Sequence, residues 1–257
     1  MPRFAANLST LFNEMPFEGR FAAAAKAGFK GVEFLFPYAY PASELAAALE
    51  KNGLTQALFN LASGDWKGGE RGLAALPGRE DDFAATVRPA LEYAAALGCS
   101  QVHALAGIPP SGTSVAKARE TYVQNIKYAA WEAAPHGVTV LLEPINTTDM
   151  PGYFLNTTEQ ARAVIDDVGE DNVRLQLDLY HRQIMQGNLA VAIREYAAIT
   201  AHIQIAGVPG RYEPNVGEID YTYLFDLLDD IGYAGWVGCE YVPRGDTLAG
   251  LDWLFPA

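Results

Sequence analysis

The sequence has little that would cross-link it. It holds two cysteines in 257 residues, Cys99 and Cys239, each set among apolar strand-forming residues. Two isolated cysteines make neither a disulfide framework nor a zinc spacing, and thiols in that setting read as buried and reduced. Histidine is scarce as well, at four, too few for a cluster of histidine-bound zinc ions. Basic residues are outnumbered 18 to 31 by acidic ones, for a formal net charge of −13. Such a surface repels phosphate backbones and anionic bilayers, so neither nucleic acid nor membrane is expected as a partner. No apolar run approaches the roughly 18 residues that a membrane-spanning helix needs. The opening MPRFAANLSTLFNEMPF lacks the basic stretch and apolar core of a secretory signal. These absences fit a reducing cytoplasm. With no linker, low-complexity tract or charge block, one domain over residues 1–257 is expected.

What is present is an alternation. Strand-like segments fall at 3–8, 31–34, 54–60, 100–105, 138–143, 173–178, 201–205 and 236–240. Helices are predicted to begin near Pro16, Ser43, Glu80, Ser114, Thr158, Asn188 and Tyr221, in stretches rich in Ala, Leu and Glu such as FEGRFAAAAKAG and VRPALEYAAALG. Gly28, Gly53, Gly98, Gly137 and Gly232 each stand just before a strand, where glycine closes a helix. Asn156 through Glu159 reads as a capping box opening the fifth helix. Eight such alternations predict a closed (β/α)8 TIM barrel, α/β in class, with residues 241–257 left for a short terminal helix. Trp66 and Trp253 read as exposed aromatics suited to a contact in a homo-oligomer.

Four of the strand-like segments end in a side chain that can bind metal: VTVLLE at Glu143, VRLQLD at Asp178, AHIQ at Gln204 and GWVGCE at Glu240. A carboxylate at the end of a buried run is costly unless something compensates its charge. Three carboxylates and an amide oxygen converging at one barrel mouth suit one divalent cation, Mg or Mn rather than a thiolate-preferring ion. The other strands bring Asn7, Glu33, Asn60 and His103 toward the same end. Side chains alternate along a strand, so Gln176 shares the direction of Asp178, and His202 that of Gln204. Both are candidates to orient the ligands from below, or a polar pair satisfied inside the barrel. His181 and Arg211 follow the ligand positions in loops over the mouth. Arg211 can clamp a carboxylate with its planar fork, or pair with Glu213 or Glu218 in its own loop. The long connections 63–79 and 144–156 lie on the same side, and the first is expected to close over the site.

These residues resemble the hydroxypyruvate isomerase family, within the xylose isomerase-like barrel superfamily. The likeness runs nearly end to end, through RFAANLSTLF, GVEFLFPY, GERGLAALPGRE, QLDLYH, HIQIAGVPGRYEPNVGEIDY and GWVGCEYVPRG. The last two are the most specific, since related sugar epimerases usually carry histidine where this chain has Gln204. The resemblance implies metal ligation by Glu143, Asp178, Gln204 and Glu240, with Glu143 and Glu240 moving protons. It matches His181 and Arg211 to substrate-contacting groups; Asn60 and His103 join them as candidate substrate contacts. It implies a small anionic hydroxy-oxo acid as substrate and isomerisation of hydroxypyruvate to tartronate semialdehyde through an enediolate. The four-carbon 2-oxo-tetronate is the alternative, placed slightly behind, and sugar epimerisation a weaker one. A barrel endonuclease is disfavoured by charge and histidine count, and a degenerate binding module by the presence of all four ligand candidates.

Overall fold

The structure, a computed structural model, describes residues 1–254. Eight parallel strands pair in chain order and close into a barrel, with β1 joined to β8. They are β1 Arg3–Asn7, β2 Gly31–Glu33, β3 Thr55–Asn60, β4 Gln101–His103, β5 Thr139–Leu142, β6 Val173–Asp178, β7 Thr200–Ile205 and β8 Trp236–Cys239. Around them lie α1 Phe17–Lys26, α2 Ala42–Asn52, α3 Glu80–Leu97, α4 Val115–Ala133, α5 Thr158–Val168, α6 Leu179–Met185, α7 Leu189–Tyr196 and α8 Tyr221–Asp230. The predicted strands are all present, to within a few residues at their ends.

The helices cover the barrel because their apolar residues recur at helical spacing. In α5 the buried apolar residues are Ala161, Val164, Ile165 and Val168, with Thr158 buried at its start, one stripe of an amphipathic helix. In α4 the buried face carries Ala118, Tyr122, Ile126, Ala129, Ala130 and Ala133, whose alanines admit the wall closely. The lower lumen is closed by a separate cluster of Ala5, Ala57 and Trp236. No helix among the described residues is long and apolar enough to cross a membrane.

Four local expectations need correction. The short α6 was not predicted, because LYHRQIM is too brief for a periodic signal; it starts directly on Asp178, whose carboxylate caps it. The fifth helix is capped by Thr157, which accepts from Gln160 N at 3.2 Å, so the capping frame lies one residue later than Asn156. The terminal segment forms only a single 3-10 turn at Leu248–Gly250, and residues 255–257 lie outside the description. Trp253 is not an exposed contact aromatic: it packs edge-on to Phe4 and against Phe225, and its indole N–H donates to the Tyr241 hydroxyl at 3.3 Å. Trp66 does remain 36% exposed.

Candidate active site

The strand ends gather polar side chains at one rim. Asp178 closes β6, Gln204 is next to last in β7, and Glu143 and Glu240 follow directly on β5 and β8. Asn60 closes β3 and His103 closes β4. All six are buried. Parallel register sets Asp178 beside Gln204 and Gln176 beside His202. A cavity of about 590 Å³, open to solvent, is lined by Asn60, His103, Glu143, Gln176, His181, Gln204, Arg211 and Glu240, with Leu35, Trp66, Leu105, Ile145 and Met150 as its apolar wall.

Arg211 settles the choice left open by its loop. It does not pair with Glu213, which is held by Arg244 at 3.3 Å, nor with Glu218, which accepts from Gln183. Its guanidinium instead lies 3.6 Å from Asp178 Oδ2 and 3.4 Å from Glu240 Oε1, over the Tyr180 ring at 5.0 Å. Its backbone is left-handed, with φ 57°, a conformation that costs a non-glycine residue about 1 kcal/mol or more. Two contacts to the β8 end hold it: Arg211 Nε donates to the Glu240 carbonyl at 3.2 Å, and Val242 N donates to the Arg211 carbonyl at 2.7 Å.

One guanidinium does not balance three carboxylates. Burial pushes Glu143 well above the usual carboxylate range, and Glu240 and Asp178 push it further. Burial also raises Glu240, to about 7, against the pull of Arg211. Asp178 is raised by burial too, opposed by Arg211 and by the N–H groups of Tyr180 and His181. Glu143 Oε1 is buried with no hydrogen-bond partner. An unpartnered carboxylate oxygen among hard oxygen donors is what a divalent cation would satisfy, so these residues fit such an ion.

His181 stands on α6 rather than in a loop. Its Nε2 lies 3.6 Å from Asp178 Oδ2 and 3.8 Å from Glu143 Oε1, and one ligand atom from each of Glu143, Asp178 and His181 falls within 4.8 Å of the others. The partner of its other nitrogen argues against ligation. Asn146 Nδ2 approaches His181 Nδ1 at 2.6 Å. That amide is oriented by Asp149, whose N–H donates to Asn146 Oδ1 and whose Oδ2 accepts from Asn146 Nδ2. His181 Nδ1 therefore accepts, and in the neutral ring the proton sits on Nε2, as a donor into the site. Burial and the nearby Arg211 keep the ring neutral by pulling its pKa well below the usual value. Burial also lowers His103, to about 3, and its Nδ1 lies 3.5 Å from Glu143 Oε2.

Of the two residues expected beneath the ligands, Gln176 donates to Gln204 Oε1 at 2.6 Å, while His202 meets Glu33 rather than a ligand position. The 63–79 connection divides. Trp66 reaches the cavity with the Arg71 guanidinium over its ring at 4.3 Å. Leu73, Ala74 and Ala75 are buried, and Gly72 bridges to Ala106 so closely that a Cβ there would lie 2.4 Å from the Leu105 carbonyl oxygen. The back of this connection is fixed in the core, and Trp66 at its front is the part that reaches the mouth. Asn146, Asp149 and Tyr180 were missed by the sequence reading. The length of 144–156 pointed to the loop of Asn146 and Asp149, but their pairing with His181 and Tyr180 on α6, across 35 and 31 residues, has no local signal.

The xylose isomerase-like TIM barrel family model matches residues 21–257. A 2-oxo-tetronate isomerase of Cupriavidus necator is 57% identical over 256 residues, covering 100% of this chain and 98% of its own. A hydroxypyruvate isomerase of Escherichia coli is 47% identical, covering 100% and 99%. A solved structure from Brucella melitensis, described as an AP endonuclease of family 2, superposes with a TM-score of 0.98 at 53% identity, covering 100% of this chain and 99% of that one.

Proposed function

The chain belongs to the xylose isomerase-like TIM barrel family and, with relatives that are hydroxypyruvate and 2-oxo-tetronate isomerases, is an isomerase; we propose that it acts on a short 2-oxo acid, exchanging carbonyl and hydroxyl between C2 and C3 by proton transfer. The observation that carries this reading is the convergence of Glu143, Asp178 and Glu240 at one mouth, with a single guanidinium against two of them and an oxygen of the third left unpartnered. Glu143, Asp178, Gln204 and Glu240 would hold a divalent cation, magnesium or manganese. When bound, that ion supplies Lewis-acid withdrawal of electron density from the substrate carbonyl.

The protein's own groups then have distinct tasks. One of Glu143 and Glu240 removes the proton from C3, leaving an enediolate, and a proton is returned at C2. Both glutamates face the cavity, where a carboxylate can take the proton from one carbon and return it to the next. The Nε2–H of His181 donates to a substrate oxygen. Arg211 receives the substrate carboxylate, and Asn60 and His103 line the far side. Trp66 covers the mouth and limits water at the enediolate.

The sequence reading puts the three-carbon acid first. The relative at 57% identity is a 2-oxo-tetronate isomerase, which moves the four-carbon acid ahead in our proposal, with hydroxypyruvate second on the relative at 47%. The endonuclease description of the Brucella structure is not carried over, because a net charge of −13 and an acidic mouth oppose a DNA backbone. The test is NMR in D₂O on metal-stripped protein resupplied with Mg²⁺ or Mn²⁺, with each acid offered separately. Metal-dependent conversion with deuterium entering at C2 or C3 is expected, faster with 2-oxo-tetronate. Absence of exchange with both acids would overturn the proposal.

A further inference from the structure

Beneath the mouth runs a chain of buried hydrogen bonds that the proton-transfer scheme does not use. It begins at Glu33 on β2, 1% exposed. Its carboxylate crosses the lumen to β7, which is separated from β2 along the wall by β1 and β8. Glu33 Oε1 accepts from Asn7 Nδ2 at 3.0 Å and from Gln204 Nε2 at 2.8 Å; Oε2 lies 2.7 Å from His202 Nε2. The crossing is possible because β8 presents Gly238 at that height. A Cβ there would lie 2.3 Å from Glu33 Oε2 and 2.4 Å from Oε1. Gln204 in turn accepts at Oε1 from Gln176 Nε2 at 2.6 Å.

A glutamine amide fits its density of neighbours equally well either way round, so its partners must choose. Gln176 cannot make that choice, since its own amide can turn with that of Gln204. Glu33 can. Its Oε1 accepts from Asn7 Nδ2, an amide whose own orientation is fixed by Ser9 N donating to Asn7 Oδ1, so only the nitrogen end of Gln204 can face it. We propose that Glu33 is a positioning residue for the cation site: by holding the Gln204 nitrogen it keeps the Gln204 oxygen as the end offered to a cation, and Gly238 is the gap that lets it do so. The inference rests on the reading that Gln204 is a ligand. It explains why a carboxylate, rather than the isosteric amide, occupies position 33. A glutamine there could donate to the Gln204 oxygen and let the pair reverse.

The test is a double-mutant cycle read as Mn²⁺ affinity, measured by calorimetry on metal-stripped full-length protein, without reference to turnover. Gln204→Ala is expected to weaken Mn²⁺ binding. Glu33→Gln is expected to weaken it about 10–100-fold in the parent, the usual scale for losing an outer contact to a ligand. In the Gln204→Ala background the same change is expected to cost less than about 3-fold, because the amide it orients is gone. An equal loss in both backgrounds, or no loss in the parent, overturns the positioning role while leaving the ligand reading intact. Unchanged affinity in Gln204→Ala instead removes the ligand reading, and this proposal with it. Should Glu33→Gln fail to fold, Gly238→Ala displaces the same carboxylate with its charge kept, and the same coupling to Gln204 is expected.

Discussion

Two acidic sites are buried in this barrel at different depths, and they are treated in opposite ways. Below, the two oxygens of Glu33 meet three nitrogen atoms, from Asn7, Gln204 and His202. Above, Asp178 and Glu240 share the guanidinium of Arg211 at 3.6 and 3.4 Å, and the neighbouring Glu143 has an Oε1 with no partner. Burying a carboxylate is tolerable where fixed donors replace its water. The lower carboxylate has nitrogen partners on both of its oxygens. The upper site is short of positive charge, and such a deficit marks where a cation and a substrate belong.

The largest expected effect would break the comparison if it failed. Glu143→Gln and Glu240→Gln keep the shape of the site and remove its proton exchange, so turnover should fall about 10²–10⁴-fold in each. Circular dichroism should report an intact barrel, since the upper carboxylates contribute repulsion rather than cohesion. Turnover retained by both variants would remove the assigned chemistry. Collapse of the fold would mean that the upper site is as structural as the lower.

A smaller effect is expected at Arg211. If its guanidinium holds the substrate carboxylate, Arg211→Ala should raise KM about 10–100-fold, the scale of a lost charge-assisted hydrogen bond, with kcat changed less. An unchanged KM would return the residue to the role of neutralising Asp178 and Glu240 alone. Steady-state kinetics over a wide substrate range separates the two.

The barrel was legible in the sequence because its signals are local. Eight short, mostly apolar runs, punctuated by helix-closing glycines such as Gly53 and Gly98, give the strands and their order. The position of the upper carboxylates was legible for the same reason: each stands where an apolar run stops. What could not be read is whatever depends on distant pairing. Glu33 was seen as one more polar group near a strand end, but its reach to His202 spans 169 positions and passes through the gap at Gly238. Arg211 was read as a carboxylate clamp or as the partner of Glu213 or Glu218, and the structure pairs it with neither of those two glutamates. Asn146 and Asp149 set which nitrogen of His181 carries its proton, and a polar loop residue gives no hint of that. A hydrophobic period reports burial, whereas a hydrogen-bond partner is chosen by closure of the whole wall.

The smallest predicted effect tests the comparison without substrate. Burial raises Glu143 and Asp178, and raises Glu240 to about 7, whereas an unfolded glutamate titrates near about 4.3. Between those values the folded chain keeps protons that the unfolded chain has released. The stabilising contribution is therefore whole below the unfolded value and is lost as pH rises through the folded one. Metal-free protein should melt lower at pH 8 than at pH 5, by on the order of 5 °C, measured by differential scanning calorimetry. General repulsion in a chain of net charge −13 has the same sign, so the slope alone does not identify the groups. Two controls do. Glu240→Gln removes one of the titrating carboxyls and should flatten the slope. Mn²⁺ competes with protons for the same oxygens, so it should raise Tm more at pH 8 than at pH 5. A slope untouched by either would mean that the upper carboxylates are balanced after all, and that the two depths of the barrel do not differ in the way their hydrogen bonds imply.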